Sequence, residues 1–431
     1  MDCEKTAEDI LQAVRVGGAD MGECTVSNSE TTEVYYESGK ISMVRSVLNH
    51  TAAVKVIKGR KKGSVTTNAC DAVSVNAAVA DAFEAAAHAP EDSAEGVAER
   101  TENCAFASGE RRPDRERLYA LLREFLDTVR REYPKISFDS VSVGHSFREK
   151  VYRNTNGAEL REAKGFNEFE AMFMAKDGET TSSFNYFGIC FDEMDTPLIE
   201  RGMARTLLAE TERQLQPETL HGKFEGDLII TPACLPTFLY YAQNNFLSDG
   251  VLIDGTSIWK DALDTPVASE LLTWRSLPES GGLPGASRLT GDGYAAKDMT
   301  IIENGILKNF CLTRYGAAKT GLTRSANTQD CYVVEPGERS LEELIASVEN
   351  GLLLNRFSGG NPSPNGDFSG VAKNSFLIRN GKIAAAVSET MISGNIAALL
   401  KNILAVSRER VSDGMTVVPW VKAAGITISG K

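Results

Sequence analysis

The sequence predicts an α+β protein with an N-terminal antiparallel sheet flanked by helices and a β-rich C-terminal domain. Segments rich in Val, Ile, Tyr and Thr alternate with short turns, which is typical of antiparallel strands. Other segments place apolar residues at helical spacing. Two Asn-Gly pairs, which favour tight hairpins, separate β-rich arms near the C-terminal end. At 431 residues the chain exceeds what one core usually organises, so we expect several domains.

The first hundred residues predict one α+β layer. Residues 4–15 carry apolar side chains at the i, i+3, i+4, i+7 spacing of a helix. An alanine-rich helix is predicted over residues 71–88, with Asp71 as its N-cap. Between these helices we predict strands over residues 31–37, 41–48, 51–57 and 63–67, with a turn at Ser38-Gly39.

An acidic segment poor in aliphatic residues, 89–112, is predicted to be a surface linker. Pro113 is predicted to open an amphipathic helix, because proline is tolerated in a first turn. Strands are then predicted over 136–146 and 150–153, followed by two long strands hinged at Asp177-Gly178 and a helix over 196–215. We therefore expect an N-terminal subdomain of residues 1–110, a middle subdomain of 111–222 and a C-terminal domain of 223–431.

The C-terminal domain is predicted to be mainly antiparallel. A buried strand over 226–231 and an apolar helix over 235–246 open it. Hairpins are predicted at Asn304-Gly305 and at Asn380-Gly381. Ser340 and Glu343 form a capping-box pattern, with Gly351 placed to end that helix, and a last helix is predicted over 395–406.

Charge and composition exclude several classes of function. Lys and Arg number 46 against 59 Asp and Glu, a net charge of −13, so direct nucleic-acid binding is not expected. The basic residues within 58–62 are expected at a solvated hairpin tip. The start resembles no secretory signal and no run of about 18 apolar residues occurs, so we expect a cytoplasmic protein without a membrane span. Eight dispersed cysteines are expected to be reduced.

Familiar catalytic motifs are not found. The four histidines, His50, His88, His145 and His221, supply no HExxH pair for zinc. The sequence at Gly291-Asp292-Gly293 is followed by strand-like residues, which favours a turn over a dinucleotide loop. Asp192, Glu193 and Asp195 could hold a hard cation, although a solvated acidic loop has the same composition. No catalytic residue is assigned.

Glycine and asparagine are concentrated in three C-terminal segments, 357–361, 365–370 and 393–395. Glycine allows a backbone to approach closely, as at a groove for an extended peptide, but tight turns between strands have the same composition. The candidate peptide groove comprises Gly359, Gly360, Asn365, Gly366, Asp367, Phe368 and Ser369.

Several motifs in a fixed order give the chain a resemblance to a known family. They are residues 287–291 (SRLTG), 303–305 (ENG), 320–324 (TGLTR), 348–352 (VENGL), 366–370 (GDFSG), 393–395 (SGN) and 428–430 (ISG). With them the sequence resembles the TldD/PmbA family of peptide-maturation proteins, formerly described as modulators of DNA gyrase. The resemblance covers nearly the whole chain and implies the predicted α+β architecture.

In the TldD-type branch of that family, a helix carries an HExxxH motif and a cysteine near the C-terminus completes a zinc site. Here Tyr240, Tyr241 and Asn245 stand at the approximate motif positions, and residues 409–431 contain no cysteine. The chain is thus similar to the PmbA (TldE) branch. That resemblance implies no metal in this chain, zinc in a TldD-type partner, a heterodimer or homodimer, and a peptide substrate.

Two other functions stay open from the sequence. The chain could be a hydrolase that needs no metal, acting through Cys, Ser or Asp. It could also be an interaction protein that modulates gyrase or a toxin system without proteolysis. A neighbouring gene for a homologue with HExxxH would favour the metallopeptidase subunit over both.

Overall fold

A computed structural model of the chain describes residues 2–37, 39–100 and 103–431. It has the predicted α+β architecture, with an eight-stranded sheet in the N-terminal half and a fourteen-stranded sheet in the C-terminal half. Among the described residues, no helix combines the length and the hydropathy needed to span a membrane.

The N-terminal sheet has the order β3-β2-β1-β5-β6-β4, and β7 and β8 also pair with β6. Its strands are β1 (Met21–Glu37), β2 (Lys40–Lys58), β3 (Lys61–Thr67), β4 (Cys104–Ser108), β5 (Ile136–Asn154), β6 (Glu159–Asp177), β7 (Thr180–Thr181) and β8 (Asn185–Phe191). The helices of this half are α1 (Cys3–Val16), α2 (Ala72–His88), α3 (Arg115–Glu132) and α4 (Ala204–Arg213), with a 3₁₀ turn at Leu198–Glu200.

The predicted helices α1 and α2 are confirmed, and Asp71 caps α2 by accepting from the amides of Val73 and Ser74 at 3.0 and 3.1 Å. The predicted strands 41–48 and 51–57 are one strand, β2, because Asn49 and His50 stay in register with Ser29 and Asn28 of β1. In the predicted Ser38-Gly39 turn, Ser38 lies outside the described residues.

Three predictions in the middle of the chain were wrong. The linker contains β4, which pairs in parallel with β6; residues 101 and 102 lie outside the described part. Pro113 precedes α3, whose N-cap is Asp114. The helix predicted over 196–215 covers only α4 and the 3₁₀ turn, because Gly202 adopts a left-handed φ of 55° between them.

The second long strand expected after Asp177-Gly178 is divided into β7 and β8. Strands from both sides of residue 110 share the N-terminal sheet, since β1 pairs with β5. The division into residues 1–110, 111–222 and 223–431 therefore stays a prediction.

The C-terminal sheet has the order β13-β12-β11-β14-β22-β10-β15-β18-β19-β9; of the remaining strands, β16 pairs with β17, β17 with β20, and both β20 and β21 with β22. Its strands are β9 (Glu218–Thr219), β10 (Lys223–Ile230), β11 (Trp274–Ser276), β12 (Met299–Glu303), β13 (Ile306–Leu307), β14 (Tyr332–Val334), β15 (Asn350–Leu354), β16 (Arg356–Gly359), β17 (Asp367–Lys373), β18 (Phe376–Arg379), β19 (Lys382–Ser388), β20 (Met391–Asn395), β21 (Ile403–Ser412) and β22 (Val417–Ser429). The helices are α5 (Leu235–Ala242), α6 (Asp249–Ile253), α7 (Arg314–Thr320), α8 (Leu341–Ala346) and α9 (Ile396–Lys401), and a π-helix at Gln243–Leu247 follows α5.

Both Asn-Gly hairpins are confirmed, joining β12 to β13 and β18 to β19. The capping box of Ser340 and Glu343 is also confirmed. Gly351 does not end that helix: it lies in β15, where a Cβ would stand 2.1 Å from the Asp227 carbonyl oxygen of β10. The helix predicted over 395–406 ends at Lys401, and the following residues join β22 as β21.

One of the hydrophobic clusters contains residues from both halves of the chain. The cluster that includes Phe125 and Phe169 of the N-terminal half also contains Ile229 and Phe376 of the C-terminal half. At its edge, α4 meets the start of β16: Asn355 Nδ2 donates to Glu210 Oε2 at 2.6 Å. This contact is part of what holds β16 against the N-terminal half.

Glu210 is expected to make the stability depend on pH. Burial raises its pKa to about 7, so the folded state binds more protons than the unfolded state between about pH 4.5 and 7. Its contribution is present below pH 4.5 and is lost as the pH rises through 7. Wild type should therefore lose about 2–3 kcal/mol of unfolding free energy between pH 4.5 and pH 8 relative to Glu210→Gln, which cannot titrate at this position. Urea unfolding at both pH values checks this.

The matched control is Glu124→Gln, which removes the same charge from an exposed position on α3. Parallel pH profiles for wild type and Glu210→Gln would contradict the assignment of a raised pKa to Glu210.

Candidate functional site

The helix that carries Tyr240 and Tyr241 directly follows buried strand β10 and changes type at its end. Residues 235–242 are α-helical, and Asn245 lies in the π-helix Gln243–Leu247. A π turn widens the helix and brings residues five apart closer to one face, and such turns are frequent at functional sites. Of the three positions that the family resemblance aligns with the zinc motif, called the motif positions below, Tyr240 and Tyr241 lie in the α-helix and Asn245 in the π turn.

An aromatic cluster packs this helix against the hairpin of β16 and β17. The Phe238 ring centroid lies 5.6 Å from that of Phe357 and 5.4 Å from that of Phe368. The Tyr241 ring stands edge-on to Phe357 at 6.3 Å. Phe238 is fully buried, whereas Tyr240 is 45% exposed. One face of the helix thus belongs to the core and the other reaches solvent.

The two facing glycines of the hairpin make room for Phe357. Gly359 pairs with Gly370 across β16 and β17. A Cβ on either residue would lie 2.6 Å from Cζ of Phe357. At Gly359 the absent side chain therefore serves internal packing, while the residue itself stays exposed.

The loop that leads into β17 is held by its own polar side chains. Asn395 Nδ2 donates to the Asn365 carbonyl oxygen and to Asp367 Oδ1, both at 2.9 Å. Asn365 Nδ2 donates to Asp367 Oδ2 at 2.9 Å. Hydrogen bonds from Asn395 and Asn365 hold the pKa of Asp367 below its usual value. The loop is accordingly fixed around an ionised carboxylate.

The structure brings the motif positions and the glycine-rich segments together. Asn245 Nδ2 donates to the Ser363 carbonyl oxygen at 2.6 Å, and a Cβ on Gly366 would lie 2.7 Å from the Phe246 ring. We call the surface formed by Tyr240, Tyr241, Asn245, Gly359 and Gly360 the helix–hairpin surface.

The seven predicted groove residues differ in accessibility. Gly366 and Phe368 are buried and are therefore not accessible to a bound peptide. The exposed members are Gly359, Gly360, Asn365, Asp367 and Ser369. A peptide on this surface would meet the exposed residues, and the groove itself stays a proposal.

The donor set at the motif positions does not fit zinc. Burial raises the pKa of the Tyr241 phenol, and the Asn245 amide is used on Ser363. Burial also raises the pKa of Cys234, at the start of α5, to about 12, whereas a metal-binding thiol must be deprotonated. Within the described residues, no group of three or more His, Cys, Asp or Glu is placed to hold a metal ion.

Other residues singled out in the sequence lie away from this surface. His145 is buried in β5, with Nε2 3.0 Å from the Glu110 carbonyl oxygen. Glu193 forms an ion pair with Arg201 at 3.0 Å. The segment around Gly291 forms a turn, in which the Thr290 amide donates to the Tyr294 carbonyl oxygen at 2.8 Å. None of these contacts places them at the helix–hairpin surface.

Sequence reasoning missed a polar contact made by Gln243, the first residue of the π-helix. Gln243 Nε2 donates to Asp330 Oδ1 at 3.0 Å, and the Tyr332 hydroxyl donates to the same oxygen at 2.7 Å. Residues this far apart in the chain carry no local signal of their contact.

Tyr241 is expected to act in packing and not in chemistry. Tyr241→Ala should lower the free energy of unfolding by about 1–2 kcal/mol, because the ring contacts with Phe238 and Phe357 are lost. Chemical denaturation measures this, with exposed Tyr240→Ala as control. A Tyr241→Ala variant that folds and assembles normally yet loses only the bond-breaking step of a reconstituted peptidase would contradict the packing role.

Comparisons with known proteins show the family of the chain. Two family models match the chain: PmbA/TldA metallopeptidase domain 1 over residues 22–89, and the PmbA/TldA metallopeptidase C-terminal domain over residues 223–430. Together they cover well over half of the chain.

Three curated relatives are metalloproteases by name. A Methanothermobacter thermautotrophicus metalloprotease is 29% identical over 42% of each chain. A zinc metalloprotease TldD homolog of Saccharolobus solfataricus is 24% identical over 67% of this chain and 68% of its own. Metalloprotease PmbA of Escherichia coli is 23% identical over 95% of this chain and 93% of its own.

Two solved structures share the fold along the whole chain. TldE from Thermococcus kodakarensis superposes with a TM-score of 0.81 at 19% identity, covering 99% of this chain and all of that one. A candidate modulator of DNA gyrase from Bacteroides thetaiotaomicron reaches a TM-score of 0.86 at 20% identity over 99% of both chains.

Proposed function

Because the chain belongs to the PmbA/TldD metallopeptidase family, we propose that it is the metal-free subunit of a two-chain metallopeptidase that cleaves unfolded or extended peptides. A TldD-type subunit would supply the zinc, and this chain would supply part of the peptide-binding surface. The observation that carries the proposal is that Tyr240, Tyr241 and Asn245, which the family resemblance aligns with the zinc motif, offer no set of zinc ligands.

The helix–hairpin surface supports a role in holding a peptide. Among the described residues, β16 pairs with β17 on one side and with no strand on the other. An unpaired strand edge offers main-chain donors and acceptors to an extended chain. Gly359 and Gly360 at the end of β16 are exposed, so no side chain covers their backbone. These features fit recognition of main chain more than of particular side chains.

We place the complex in the cytoplasm, with a TldD-type subunit as partner or, when that subunit is absent, a second copy of this chain. Seven of the eight cysteines are free thiols, which fits a reducing compartment: Cys3, Cys24, Cys70, Cys190, Cys234, Cys311 and Cys331. A stable complex of this kind is expected to bury roughly 1,600 Å² or more.

The experiment is to purify this chain and a TldD-type subunit separately and together, and to follow cleavage of an unstructured peptide. The proposal expects co-elution of the two chains and cleavage only by the mixture. Full cleavage by this chain alone, or equal cleavage by the partner alone, would contradict the division of labour.

The second candidate is a modulator that binds gyrase or a toxin-system protein without proteolysis. A structural neighbour is described as a candidate modulator of DNA gyrase, and a net charge of −13 leaves protein contact open while disfavouring DNA contact. Stable binding to such a protein, with no peptide cleaved by any mixture, would favour this function.

A further inference from the structure

A cavity of about 230 Å³ lies where the last strand of the N-terminal sheet meets the start of α5. Its lining includes Gly188 of β8, Thr237 of α5, Arg356 of β16 and Asp413 after β21. Pockets for drug-sized ligands span roughly 300–1,000 Å³. This cavity is smaller and would admit the end of a chain or a small molecule.

Arg356 is a cation without an anionic partner. Its guanidinium stacks on the Tyr186 ring, 3.3 Å from the centroid, and Nη2 donates to the Tyr186 carbonyl oxygen at 3.0 Å. Among the described residues, no carboxylate oxygen lies within 4.0 Å of it. Burial lowers the pKa of Arg356, which reflects a charge that has lost water and gained no carboxylate. Its remaining N–H groups are available to an anion in the cavity.

The edge of β8 presents unpaired main-chain groups to the same cavity. In an antiparallel pair, the N–H and C=O of alternate residues point away from the neighbouring strand. Tyr186 and Cys190 point away from β6, because Tyr186 O accepts from Arg356 and the Cys190 amide donates to the Asp413 carbonyl oxygen at 2.8 Å. By alternation Gly188 points the same way, and among the described residues no group hydrogen-bonds to its amide or its carbonyl on that side.

Two further features of the cavity suit a ligand that carries both an anionic group and a peptide main chain. Thr237 lines the cavity, and its hydroxyl has no hydrogen-bond partner in the described part of the chain. Gly188 has no Cβ, so no side chain of its own covers this part of the strand. The cavity thus combines a cation, a hydroxyl, and one main-chain donor with one acceptor, beside Asp413, whose Oδ1 accepts from the amides of Met415 and Thr416 at 2.8 and 2.6 Å.

We propose that this cavity binds the last two residues of an extended peptide, with the α-carboxylate on Arg356 and the penultimate residue hydrogen-bonded to Gly188. A peptide that pairs with β8 in the antiparallel direction places its C-terminus near the first residues of β8. Arg356 contacts Tyr186 at this end of the strand, so it lies where the α-carboxylate would be. Arginine and carboxylate form paired, charge-assisted hydrogen bonds. This site goes beyond the proposed function, because it belongs to the isolated chain and needs neither a partner subunit nor zinc.

The test is titration calorimetry of the full isolated chain with N-acetyl-trialanine as the free acid and as the C-terminal amide. The acid is expected to bind at least about tenfold more tightly, because the amide lacks the charge that Arg356 pairs with. Arg356→Gln should remove this preference. Arg213→Gln, which removes an exposed arginine that also stacks on an aromatic ring, should keep it.

Two ligand variants separate a peptide terminus from a free carboxylate. Methylation of the penultimate amide nitrogen should weaken binding several-fold, since the donor to the Gly188 carbonyl is lost. Acetate should compete only at far higher concentration than the tripeptide. Equal binding of acid and amide by wild type would overturn the site, even if Arg356→Gln fails to fold. Acetate that competes as well as the tripeptide would overturn the main-chain contact.

Discussion

A chelator is expected to abolish peptide cleavage by a mixture of this chain and a TldD-type subunit while leaving the two chains assembled. The catalytic zinc would belong to the partner, since Tyr240, Tyr241 and Asn245 offer no suitable ligands. The interface would be formed by apolar contacts and hydrogen bonds, which a chelator does not affect. Peptide cleavage and gel filtration, each with and without chelator, measure the two effects separately.

Restoring zinc should restore cleavage, which controls for damage to the protein. Two outcomes would count against the account. Cleavage that survives full removal of metal would favour a metal-independent hydrolase, and dissociation of the complex by the chelator would place a metal at the interface.

Phe238→Ala is expected to lower the free energy of unfolding by about 3–5 kcal/mol. Phe238 is fully buried, and its ring meets Phe357 and Phe368 of the hairpin as well as Tyr241 of its own helix. The truncation leaves a cavity between α5 and β16–β17, so the helix–hairpin surface should loosen as well. Urea unfolding gives the first effect, and hydrogen exchange of residues 356–373 gives the second.

Tyr240→Ala, on the exposed face of the same helix, is the control and should change stability by less than about 0.5 kcal/mol. If Phe238→Ala were no more harmful than Tyr240→Ala, the aromatic cluster would not be what joins the helix to the hairpin.

Features fixed by neighbouring residues were the predictable ones. The Asp71 cap and the Ser340 capping box act within one helical turn, and the Asn-Gly hairpins need only two residues to adopt a left-handed backbone. Features fixed by distant partners were missed. β4 is a strand because β6 lies beside it, and Gly351 is a glycine because β10 passes close to it.

The candidate site divides in the same way. Tyr240, Tyr241 and Asn245 could be identified through the family resemblance, but their contact with the hairpin depends on residues more than a hundred positions away. Alternation along β17 could have shown that Phe368 faces the core. Arg356 could not have been found, because a lone arginine becomes informative only when its neighbours are known to include no carboxylate.

The central claim, a metal-free subunit, is tested most directly by the zinc content of the isolated chain. The purified protein, dialysed mildly and without chelator, would be analysed for metal alongside its complex with a TldD-type subunit. We expect far less than one zinc per isolated chain and about one zinc per pair of chains in the complex, since only the partner would carry a ligand set of the required kind. A content near one zinc per isolated chain would contradict it.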